Sequence, residues 1–207
     1  GKQKYTAKSV ILATGGKSRT LNVPGEAEFK GRGISYCATC DGDFFQDKEI
    51  VVVGGGNSAL EEADSLTKYA SKVTVLHEFD HFQALQHAVE KAKSNPKIEF
   101  VMGSHIIEFR GDQKLTHLKY KDLVTGSITE KAIDGVFIFI GYVANTQKLI
   151  DTSIELNSRG EIITDENLQT NIEGVYAAGD NRAVKYRQIT TAVADGTIAA
   201  LNALEYI

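Results

Sequence analysis

The chain has 207 residues, 42% of them hydrophobic and 24% charged, and a formal net charge of −4. That is the composition of one large globular domain or two small ones. With no basic block it leaves no electrostatic footprint for nucleic acid, and no apolar run approaches the roughly 20 residues that span a bilayer.

Gly1–Tyr5 has no apolar signal core behind its charges, so a cytoplasmic, reducing compartment is the expectation. Val10–Thr14 reads as a buried strand stopped by Gly15-Gly16, and residues 17–36 as irregular chain broken by Val23-Pro24-Gly25 and Gly31-Arg32-Gly33. Glu49–Gly54 is the β-branched, continuously apolar strand expected of a parallel sheet. Asn57–Tyr69 has helical spacing, with Ala59, Leu60, Ala63 and Leu66 as its apolar stripe. Lys72–Leu76 is the next strand, and Phe82–Lys93 a second helix closed by Asn95-Pro96. Residues 104–110, 114–121 and 127–134 alternate like an antiparallel meander. Val136–Ile140 and Gly174–Ala178 are further strands, and a last helix runs from about Thr190 to Glu205. There is no internal repeat.

Three motifs carry chemistry. Gly54-Gly55-Gly56-Asn57-Ser58-Ala59 fits G-x-G-x-x-A directly after a buried strand and at the opening of a helix. Gly54 makes the turn, Gly56 lets backbone approach a pyrophosphate, and Ala59 permits close helix–strand packing. The phosphates would rest on the helix start at Asn57 and Ser58. About 20 residues further, Glu78 stands where an acid hydrogen-bonds the adenosine ribose 2′-hydroxyl; the alternative is a solvated loop carboxylate. His77-Glu78-Phe79-Asp80-His81 matches the zinc pattern H-E-x-x-H, which needs a helix to bring both imidazoles to one face. Here it follows a strand, so it is not read as a metal site.

Cys37-Ala38-Thr39-Cys40 is a lone Cys-x-x-Cys. Zinc would need about four ligands and no second Cys pair exists. A thioredoxin-type site would sit in its own small fold with Trp and Pro beside it, and this chain has no Trp. The favoured reading is a redox dithiol carried on a flavoprotein just ahead of a dinucleotide-binding unit, the pair lowering a thiol pKa and favouring exchange. Asp41 adjoins it as a proton shuttle or, alternatively, as a turn residue. Gly174–Asp180 reads as a strand leading to a Gly-Asp corner, where α/β sheets collect ligands.

Cys37-Ala38-Thr39-Cys40-Asp41, the glycine-rich turn at 54–59, Ala13-Thr14-Gly15, Gly141 with Asn145-Thr146, Gly179-Asp180 and Arg187-Gln188 together resemble the low-molecular-weight thioredoxin reductases. The resemblance covers essentially the whole chain. It implies an α/β protein: a Rossmann-like NAD(P)-binding domain with an antiparallel meander, inserted in an FAD-binding domain of related three-layer fold. That FAD domain is incomplete here, because the family's own G-x-G-x-x-G for FAD is missing. The implied domains are 1–17 (FAD), 18–146 (NAD(P)) and 147–207 (FAD), with hinges at 15–22 and 143–149.

The resemblance further implies NAD(P)H, FAD, a thioredoxin or thioredoxin-like partner and a homodimer. In it Cys40 is the thiol facing the flavin, Cys37 attacks the partner disulfide, and Asp41 is the acid–base. Asp180, beside Gly179, binds the ribityl chain, and Arg187 and Gln188 contact the flavin. NADPH-specific members carry His-Arg-Arg and a third Arg where this chain has His77-Glu78-Phe79 and Gln83, which argues for NADH or another donor. Two other readings are the reductase component of an alkyl hydroperoxide system and a catalytically incomplete nucleotide-binding fragment.

Overall fold

Strands that are apolar at every position must be covered on both faces, and that requirement organises the larger part of this molecule. The computed structural model describes residues 3–207. In chain order it contains β1 (Val10–Leu12), β2 (Gly16–Ser18), α1 (Glu26–Phe29), β3 (Ile34–Ser35) and α2 (Ala38–Asp41). Then come β4 (Glu49–Val53), α3 (Asn57–Leu66), β5 (Lys72–Leu76), α4 (Gln86–Ser94) and β6 (Ile98–Val101). β7 (Ser104–Gly111), β8 (Leu115–Asp122), β9 (Ile128–Ala132) and β10 (Gly135–Ile138) follow, and β11 (Tyr142–Ala144), β12 (Val175–Ala177) and α5 (Ile189–Tyr206) close the chain. Two units result: Ser18–Gly141, and the residues up to Lys17 together with Tyr142–Ile207.

In the Ser18–Gly141 unit a parallel sheet has the order β3-β10-β4-β5-β6. Ile50, Val52, Val73, Val75 and Phe137 project to one face and pack on the α3 stripe Ala59, Leu60, Ala63 and Leu66 and on Ala88, Val89 and Ala92 of α4. Their alternates Val51, Val53, Leu76, Val136 and Ile138 face the other way, onto Ile106, Phe109, Leu115 and Leu118 of the antiparallel β7-β8-β9 meander. This is a three-layer α/β architecture, as expected.

Three of the differences from the sequence reading show how distant contacts set an element. The second helix begins at Gln86, not Phe82, because the amides before it are spoken for: Gln83 N–H donates to Gly55 O (2.9 Å) and Leu85 N–H to Asn57 Oδ1 (2.7 Å). The first helix stops at Leu66 and continues as a turn over residues 67–69. β3, inside the stretch read as irregular, is a strand because β10 pairs with it, Ile34 opposite Val136.

In the other unit β1 runs parallel to β12, Ile11 opposite Tyr176. α5 packs Ala199 and Ala203 with Tyr176, Ala178 and Leu168. Buried Asp195 of α5 accepts from Arg182 Nε and Nη2 (2.7 and 2.8 Å) and from Gly179 N–H (3.0 Å). The Arg182 hydrogen bonds, with the Gly179 amide, hold the Asp195 carboxyl below its ordinary value. A depressed folded-state pKa stabilises above the unfolded value near 4, and that stabilisation disappears as pH falls through the folded value. Asp195→Asn is therefore expected to unfold at lower urea than the parent at pH 7, with the gap closing below about pH 4; urea midpoints at both pH values check it, and a gap that persists in acid would rule the carboxylate out as its source.

Candidate functional site

The dithiol sits on a short corner. β3 delivers Ser35, and two residues later Cys37 caps α2, which carries Cys40 and Asp41. Cys37 and Cys40 are joined as a disulfide, with Cα atoms 5.3 Å apart. Cys37 is half-buried, Cys40 exposed, and Cys37 Sγ accepts the Cys40 N–H at 3.2 Å. The same donor would favour a thiolate on Cys37 over one on Cys40 once the bond opens. Ser35, 5% exposed, fixes the surroundings: its hydroxyl donates to Asp41 Oδ2 (2.6 Å) and accepts the Cys37 N–H (3.0 Å). Sequence reasoning missed Ser35, whose only mark is its place two residues ahead of the first cysteine.

The glycine-rich turn leaves β4 and enters α3. Gly54 has φ +134, and a Cβ there would stand 2.3 Å from Phe139 O and 3.1 Å from the Ala59 Cβ. Gly54 is thus fixed by packing, as Ala59 is. At Gly56, the residue preceding α3, nothing lies within 4 Å of a would-be Cβ, and no side chain caps the helix. The first-turn amides at Asn57, Ser58 and Ala59 have no intrahelical acceptor and suit an anion. Beneath the turn lies His77, 5% exposed, so close that a Cβ on Gly55 would be 2.3 Å from its ring. Its Nε2 is buried with no hydrogen-bond partner among the described residues, and burial pushes its pKa down. Glu78 is exposed at the end of β5. His81 is exposed and paired with Asp80 (2.7 Å) in bent chain, not on a helix. Among the described residues no group of three or more His, Cys, Asp or Glu side chains could hold a metal ion.

In the second unit Gly179 and Asp180 form the corner after β12, lining a cavity of about 210 Å³ with Arg182, Thr191 and Asp195 among others. Gln188 caps α5 and forms a capping box with Thr191. Arg187 pairs with buried Glu161 and lies over the Tyr142 ring, 4.4 Å from its centre. The Tyr142 hydroxyl is buried against Gly16, and burial followed by the nearby Asp180 charge pushes its pKa up to about 12. Among the described residues neither the Tyr142 hydroxyl nor Arg187 Nε has a hydrogen-bond partner. Buried donors left open beside a strand-end carboxylate fit a polar cofactor such as FAD. Glu161 and Tyr142 gave no signal in the sequence.

The family model described as pyridine nucleotide-disulphide oxidoreductase matches residues 1–196. A thioredoxin reductase from Peptoclostridium acidaminophilum is 49% identical over 212 residues, covering 100% of this chain and 67% of that protein. One from Listeria monocytogenes is 44% identical, covering 100% of this chain and 65% of that protein. A crystal structure of thioredoxin reductase from Streptococcus pyogenes superposes with TM-score 0.94 at 44% identity, covering 99% of this chain and 67% of that one. The chain therefore spans about two thirds of the length of these relatives. No helix among the described residues is long and apolar enough to cross a membrane. By the family match and these relatives, the chain belongs to the pyridine nucleotide-disulphide oxidoreductases and stands among their thioredoxin reductases.

Proposed function

We propose that the intact protein is a thioredoxin-disulfide reductase, taking electrons from NADH in preference to NADPH and passing them by way of FAD and the Cys37–Cys40 pair to a thioredoxin-like protein. The observation that carries this reading is the Cys37–Cys40 disulfide on the corner after β3, in the same unit as the glycine-rich turn. Gly56 and the first-turn amides of Asn57, Ser58 and Ala59 would hold the dinucleotide phosphates, with Gly54 making the turn beneath them, and Glu78 would hold the ribose. Asp180, Arg187 and Gln188 would hold FAD, which when bound supplies the relay of an electron pair from nicotinamide to disulfide. In keeping with the family resemblance, the Ser18–Gly141 unit is the nucleotide domain, the remainder belongs to the FAD domain, and the enzyme works as a cytoplasmic homodimer.

The protein-facing half of the reaction belongs to this chain's own residues. With the pair reduced, the Cys37 thiolate attacks one sulfur of the partner disulfide, forming a mixed disulfide and expelling the other partner sulfur as a thiolate. Cys40 then attacks Cys37 Sγ, the Cys37–Cys40 bond reforms and the second partner thiolate leaves. Asp41, held by Ser35, takes the proton from the attacking thiol and returns it to a departing one.

Ser35→Ala removes the hydroxyl that bonds Asp41 and the Cys37 N–H, leaving that amide unpaired and Asp41 free to turn away. Exchange with thioredoxin is expected to slow about tenfold, with a shifted pH profile, while nicotinamide reduces the flavin at the parent rate. Stopped-flow traces of the two half-reactions check it; equal slowing of both would mean a general structural role. For the function itself, the experiment is thioredoxin turnover by the intact flavoprotein against its Cys37→Ser variant.

A further inference from the structure

The rings after β5 form a line leading away from the glycine-rich turn. His77 lies against Gly55. Phe79 meets His77 edge-on, centroids 5.4 Å apart, and His81 stacks on Phe79 at 5.9 Å with 28° between the planes. Asp80 fixes the His81 ring through Nδ1, and the Phe79 carbonyl accepts the Gly103 N–H at 3.0 Å, so the platform is held from both sides. Phe82 is different: it stacks on His77 and meets Phe100 edge-on, as a partly buried member of the core. Phe79 keeps 43% of its surface in solvent.

A braced aromatic ring left on the surface gains most from a flat heteroaromatic partner. The order along this edge supplies one. A dinucleotide with its pyrophosphate on the turn and its ribose hydroxyls at Glu78 places its base next to the residue that follows. No Arg or Lys occurs from His77 to Leu85 to receive a 2′-phosphate.

We propose that Phe79, backed by His81, is the adenine platform of the nucleotide site, and that stacking there together with Glu78 selects an adenine dinucleotide without a 2′-phosphate. This rests on the nucleotide-binding reading above and extends it to the residue that touches the base.

The probe is 5′-ADP titrated into the full chain, followed by calorimetry and by the adenine H2 and H8 resonances. The parent is expected to bind and shift H2 upfield. Phe79→Ala should weaken binding about tenfold, equivalent to ~1.4 kcal/mol, and abolish the shift. Phe79→Trp should keep both; as the chain otherwise has no tryptophan, quenching of that indole by 5′-ADP reports the stack directly. Unchanged thermal midpoints confirm that both variants fold. If the parent binds 5′-ADP and Phe79→Ala binds it equally well, the platform is wrong and the nucleotide site stands. If the parent does not bind 5′-ADP at all, both fall.

Discussion

Cys37→Ser in the intact flavoprotein is expected to lower thioredoxin turnover by roughly three orders of magnitude or more, while nicotinamide still bleaches the flavin at the parent rate. The two halves of the reaction use different atoms, and that separates them. Delivery of electrons to the flavin needs the nucleotide and the flavin held in place, and Cys37 is in neither set of contacts. Exchange with a protein disulfide needs a thiolate, which a serine hydroxyl cannot supply near neutral pH. The proposed choice of Cys37 over Cys40 is supported by the Cys40 amide, which donates to Cys37 Sγ and would stabilise its anion better. Cys40→Ser should behave differently, blocking electron entry to the pair and leaving Cys37 able to form only a dead-end mixed disulfide. Both half-reactions can be followed in one stopped-flow series. A Cys37→Ser enzyme that kept even a tenth of its thioredoxin turnover would remove Cys37 from the attacking role.

What could be read from the sequence was whatever repeats at a fixed spacing. The α3 stripe Ala59, Leu60, Ala63 and Leu66 is wholly buried, as its 3.6-residue period requires. The unbroken apolar run from Ile50 to Val53 was legible because both faces of β4 are covered. The Gly-x-Gly turn was legible because its glycines stand at a fixed spacing between a buried strand and a helix start. Elements that exist only through distant partners were hidden. β3 is two residues long and is a strand because β10, far later in the chain, lies beside it. Residues 82–85 have apolar spacing suited to a helix, yet the amides of Gln83 and Leu85 are claimed by Gly55 and Asn57, which belong to the turn before α3 and its first residue. The same holds at the site. The cysteines announce themselves by spacing, whereas Ser35 and Glu161 matter through contacts that no local pattern encodes.

In the proposed function the nucleotide preference turns on one carboxylate, and its expected size can be estimated. Glu78 is exposed at the end of β5, where the proposed nucleotide site would set the ribose of a dinucleotide on the α3 turn. NADH offers a 2′-hydroxyl that donates to this carboxylate. NADPH offers a dianionic phosphate instead, so one charge-assisted hydrogen bond is lost and like charges are brought within contact distance. Solvent and salt screen part of that repulsion at an exposed site, leaving an expected NADH preference of roughly 100-fold in kcat/KM for flavin reduction. Raising ionic strength should shrink the ratio, because the repulsive part is screened while the lost hydrogen bond is not. Glu78→Gln keeps a hydrogen-bonding group and deletes the charge, so it should cut the preference about tenfold, mainly by improving NADPH. Glu78→Arg should favour NADPH further by adding attraction to the relieved repulsion. Flavin reduction rates with the two nucleotides, at low and high salt, decide the matter. An unmodified enzyme that plainly prefers NADPH would show that the 2′-phosphate never meets Glu78, and that the ribose lies elsewhere on the β5 edge.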